Sequence, residues 1–125
     1  MRSLFLLPLI LSAPIAATAQ DAPAVRTVDV QLSSFDFTPG MIRLKAGEQV
    51  VLHLVNTGSG GHNFTAPEFF SAATGVSGPI RKGTVEVAGH QAVDVRLTPV
   101  RGTYHLRCTH TFHSTFGMHG EIVVQ

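Results

Sequence analysis

From Thr27 onward the chain alternates. Val28, Val30 and Leu32 fall on one side of a two-residue period, and Thr27, Asp29 and Gln31 on the other. Ile42 and Leu44 alternate with Arg43 and Lys45, and Val93, Val95 and Leu97 with Asp94 and Arg96. In an extended strand every second side chain shares a face, so each run predicts a strand with one buried side. Residues 49–55 are nearly all apolar, which predicts a central strand. Tyr104, Leu106 and Cys108 share one face of a later strand, and His105 and Arg107 the other. Residues 120–124 predict a closing strand.

Turn-forming residues separate these runs: Thr38-Pro39-Gly40, Ala46-Gly47, the polar and glycine-rich stretch 56–61, Ala88-Gly89, and 99–102. Residues 67–73 break the pattern. They begin with Pro67 and contain no β-branched side chain, which predicts a short helix there. The whole reads as an all-β domain, a Greek-key sandwich or barrel of about 7–8 strands. No internal repeat or linker divides it.

The N-terminus has a different composition. Arg2 precedes an apolar run interrupted by Pro8 and Pro14, and Ala17-Thr18-Ala19 offers a small-x-small cleavage site. Residues 1–19 therefore read as a secretory signal peptide, and 20–125 as one mature domain. The apolar run is too short and broken for a membrane span. Export follows, with the periplasm as the expected compartment. Without Arg2, the nine basic residues become eight, against eight acidic ones. A near-neutral domain with no basic stripe excludes nucleic acid as a partner.

Export sharpens the meaning of the cysteine count. The chain has one cysteine, Cys108, so no internal disulfide forms. A lone thiol in an oxidising compartment is a liability unless buried or metal-bound. Cys108 opens the stretch CTHTFHSTFGM, with His113 and Met118 at intervals of four intervening residues. One tight loop can turn three such soft ligands to a common point. A blue-copper site adds a second histidine to one Cys, one His and a weak axial Met. His62 is the best candidate, because it follows a glycine turn and opens a strand.

Gly61-His62-Asn63 upstream, then Cys-Thr-x3-His-x4-Met, then Gly120 and a final strand, resembles the cupredoxins, the small blue copper proteins of the plastocyanin and azurin type. Phe35-Asp36-Phe37-Thr38-Pro39 and the Lys45-Ala46-Gly47-Glu48 turn belong to the same likeness, which spans the mature chain. The resemblance implies a single copper ion held by His62, Cys108 and His113, with Met118 axial. It also implies a hydrogen bond between Asn63 and Thr109 that ties the two ligand-bearing loops together. The implied function is one-electron transfer, without enzymatic activity, between redox partners docking near His113, Phe112 and Phe116. A copper-delivery protein of the same fold that does not cycle is the alternative.

The likeness has departures. Cys-x4-His-x4-Met is closer to the copper loop of multicopper oxidases, and His110 stands at their Cys-x-His position. Those oxidases need His-x-His pairs, and this chain has none among its seven histidines. His110 is therefore expected to be exposed, as a competitor of His113 with poor geometry. In some family members the carbonyl before the first histidine lies near the metal, a position held here by Gly61. His53 is expected to be structural and His90 to lie at a turn. His105, His110 and His119 form a further imidazole group, able to take up Cu(II) or Ni(II) adventitiously. Phe69 and Phe70 are expected in the core.

Overall fold

The computed structural model describes residues 8–19, 24–110 and 118–125. Ten strands and one helix follow in order: β1 (Arg26–Ser33), β2 (Asp36–Thr38), β3 (Met41–Leu44), β4 (Val50–Asn56), β5 (His62–Thr65), α1 (Pro67–Ala72), β6 (Thr74–Ser77), β7 (Thr84–Val87), β8 (Ala92–Thr98), β9 (Gly102–Arg107) and β10 (His119–Val124). The strands form two five-stranded sheets, ordered β2-β1-β4-β8-β6 and β3-β10-β9-β5-β7. The pairs β1–β4 and β3–β10 are parallel, and the other pairs are antiparallel.

The core lies between the sheets, where the alternation predicts it. Val30 and Leu32 of β1, Leu52 and Leu54 of β4 and Val95 and Leu97 of β8 have no exposed surface. Ile42, Val85, Leu106 and Ile122 meet them from the second sheet. β4 sits between β1 and β8, as its apolar run predicts. The helix places Phe69 and Phe70 in the core. Phe64 contacts Phe37 and Phe70 edge-on, with ring centroids 6.0 and 5.9 Å apart. Such edge-to-face pairs add to the effect of burial.

Three strands exceed the sequence reading: β2, which is only the three residues Asp36–Thr38, β6 and β7. β6 has every residue exposed, so no buried face marks it. β7 is only four residues long and follows Lys82 and Gly83, both at positive φ. The outward face of the first sheet carries His53, whose Nδ1 lies 2.5 Å from Asp94 across the β4–β8 ladder. His90 lies at a turn with φ 58°.

Candidate metal centre

Three of the candidate ligands, His62, Cys108 and Met118, are described; they lie at the start of β5, just after β9 and just before β10, strands of the second sheet. Thr65 pairs with Arg107 in the antiparallel β5–β9 contact. Continuing that register by two residues sets Asn63 opposite Thr109. Asn63 also pairs with Glu86 on β7. One row across the sheet therefore runs Glu86, Asn63, Thr109.

Asn63 is buried and uses both ends of its amide. Its Nδ2 donates to Thr109 Oγ1 at 2.8 Å and to Glu86 Oε1 at 3.0 Å. Its Oδ1 accepts from the Thr109 backbone N–H and the Thr65 hydroxyl, both at 2.9 Å. The expected bridge between Asn63 and Thr109 is thus present, as a reciprocal pair of bonds. The Asn63 backbone N–H points at Cys108 Sγ, 3.4 Å away. An N–H directed at a thiolate stabilises its charge and orients the sulfur, the role of an outer partner in a metal site.

Cys108 and Met118 face one another just past the end of the β9–β10 ladder. The Cys108 N–H donates to the Met118 carbonyl at 3.1 Å. Both side chains are fully buried, and His62 is 6% exposed. The inward direction of Cys108 agrees with its place in the Tyr104-Leu106-Cys108 alternation. Met118 is held in turn by the start of β10. The neighbouring Glu121 N–H donates to the Gly40 carbonyl at 2.9 Å, and a Cβ on Gly120 would stand 2.8 Å from that same oxygen. A thiolate, an imidazole and a thioether in an apolar setting are a soft donor set that fits copper. His113, Phe112 and Phe116 lie outside the described residues.

The glycine-rich loop before His62 is shaped by Asn56, which is buried at the end of β4. Its Nδ2 donates to the carbonyls of Gly60 and Val87 at 2.8 and 2.9 Å, and its Oδ1 accepts from the Gly58 N–H at 2.9 Å. Gly89 packs against the same loop so closely that a Cβ there would overlap the Ser59 carbonyl. Sequence reasoning took Asn56 as a turn residue only. The available signal was a polar amide closing an otherwise apolar strand.

His110 is accounted for by Glu86, a residue the sequence reading passed over. His110 Nε2 lies 2.8 Å from Glu86 Oε2. Its ring lies over Gly61, where a Cβ would come within 3.1 Å of Cε1. Among the described residues, no three His, Cys, Asp or Glu side chains converge on one point. His62, Cys108 and His110 therefore do not form such a set. Partial burial would raise the pKa of Glu86. Hydrogen bonds from His110 and Asn63, and the charge on His110, outweigh it and leave the pKa below its usual value of 4.5. The expected cluster of His105, His110 and His119 also divides: His105 and His119 meet each other, while His110 turns to Glu86.

Residues 4–124 match the family described as Cupredoxin-like domain, and the chain belongs to that family. No curated protein matches it. Its fold is similar to that of auracyanin B, at 24% identity and a TM-score of 0.63 over 86% of this chain and 93% of that one. It is also similar to auracyanin A, a "blue" copper protein from Chloroflexus aurantiacus, at 20% identity and a TM-score of 0.60, over 82% of this chain and all of that one. The multicopper oxidase McoA from Aquifex aeolicus is 17% identical with a TM-score of 0.61, over 86% of this chain and 31% of the oxidase.

Proposed function

We propose that the protein binds one copper ion through His62, Cys108, His113 and Met118 and carries single electrons between redox partners in the periplasm. The observation that carries this reading is the closed arrangement around Cys108. The thiol is buried, an N–H points at its sulfur, and Asn63 and Thr109 join the two ligand-bearing segments. When bound, copper supplies a Cu(I)/Cu(II) couple whose potential responds to the axial ligand and to hydrogen bonds at the sulfur.

The protein's part is to resist rearrangement. The Asn63 amide holds Thr109, and through it Cys108, against β5. The Cys108–Met118 backbone bond holds the base of the loop closed. Donors fixed in this way change little between oxidation states, which favours fast transfer. Phe112 and Phe116 beside His113 are the proposed docking surface. The domain is read as a carrier rather than an enzyme, because none of its seven histidines forms the His-x-His pairs that the oxidases need. Residues 1–19 support export, and none of the described helices is long and apolar enough to cross a membrane.

One equivalent of Cu(II) is expected to give an intense thiolate-to-copper visible band that is lost in Cys108→Ser and His113→Ala and kept in His110→Ala. A colourless Cu(II) form, or loss of the band in His110→Ala alone, overturns the assignment. Reversible redox titration with retained metal supports transfer, and loss of Cu(I) to a competing chelator supports delivery.

A further inference from the structure

His105 and His119 project from the outer face of the second sheet, and both are exposed. In the β9–β10 register His105 stands opposite Glu121, and His119 opposite Arg107. The two imidazoles meet on the diagonal, a separation that long side chains on antiparallel strands can bridge. Nδ1 of His119 and Nε2 of His105 are 3.4 Å apart. The ring centroids are 5.3 Å apart and the planes tilt by 38°.

The nitrogen separation is long for a hydrogen bond, for which about 2.7–3.2 Å is usual. It fits another geometry. Two imidazoles on a tetrahedral ion, each with its nitrogen at about 2.0–2.1 Å, place those nitrogens about 3.3–3.4 Å apart. Neighbouring positions of a tetragonal Cu(II) ion would draw them to about 2.8–2.9 Å.

We propose that His105 and His119 form a second metal site, for a cation with tetrahedral preference of the Zn(II) type, with water completing the coordination. Both ligands stand on paired strands, so their backbones are already in place. Two protein ligands make an exchangeable site rather than a structural one. Arg107 and Glu121 beside the pair balance in charge, so the affinity comes from the imidazoles. None of these residues belongs to the proposed copper set, so the two sites stand or fall separately. His119 directly follows Met118, which places the ion's charge next to the segment proposed to hold copper.

The test is calorimetric titration of Zn(II) into the metal-free Cys108→Ser chain, with His105→Gln or His119→Gln added singly. The Cys108→Ser background removes the thiolate that would otherwise bind zinc. Each added substitution is expected to weaken one Zn(II) binding event by about tenfold or more. Unchanged urea midpoints would show that the exposed substitutions leave the fold intact. Absence of Zn(II) binding, or binding unaffected by both substitutions, overturns the proposal.

Discussion

Asn63→Ala is the sharpest test of how the ligand-bearing segments are joined. The substitution removes four side-chain hydrogen bonds, to Glu86, to Thr65 and to two atoms of Thr109. No buried side-chain nitrogen or oxygen among the described residues lacks a partner, so the loss creates orphaned groups where none stood. Each bond contributes about 1 kcal/mol net, and a partner left buried and unpaired costs about 1–3 kcal/mol. Water reaches the exposed Glu86 and Thr109 side chains, which offsets part of the loss. The expected destabilisation of the metal-free protein is about 3 kcal/mol, or a fall in Tm of about 12 °C for a domain of this size.

Urea unfolding measures this directly, and an unchanged m-value shows that the native state stays compact. Thr109→Val separates the bridge from the rest. It removes the Oγ1 acceptor only, and a double-mutant cycle with Asn63→Ala should give a coupling energy of about 1 kcal/mol. A loss below about 1 kcal/mol in Asn63→Ala, or coupling near zero, would refute a joining role for this amide.

The other expectations concern the loop before His62 and the pair outside it. Gly89→Ala drives a Cβ into the Ser59 carbonyl, and backbone has no flexible end to yield. A loss of about 3 kcal/mol or more, read by thermal unfolding, is expected, and a neutral result would show that the loop moves freely. Glu86→Gln should matter by pH. The folded-state pKa of Glu86 lies below 4.5, so its ionised form contributes stability above that value and loses it as pH falls through the folded pKa. The urea midpoint of the wild type should therefore exceed that of Glu86→Gln near neutral pH, and the two should converge in acid.

Much of the architecture is legible along the chain. The alternation at Val28–Leu32, Ile42–Leu44, Val93–Leu97 and Tyr104–Cys108 locates the strands and their inner faces, because burial of one face imposes a period of two. It also turns Cys108 inward. The order of Gly61-His62-Asn63 and Cys108-Thr109 carries the family and the Asn63–Thr109 bridge. β6 escaped because all four of its residues are exposed, so no period exists to read. Glu86 escaped because nothing in Thr84–Val87 names its partner.

The roles of the outlying histidines belong to the tertiary structure alone. His110 pairs with Glu86, and His105 with His119, through the β5–β7, β5–β9 and β9–β10 registers. Residues far apart in sequence become neighbours only after both sheets have formed. Local pattern records which face a side chain takes. Its neighbour on that face depends on which strand lies alongside and in what register, and that is fixed by packing the whole core.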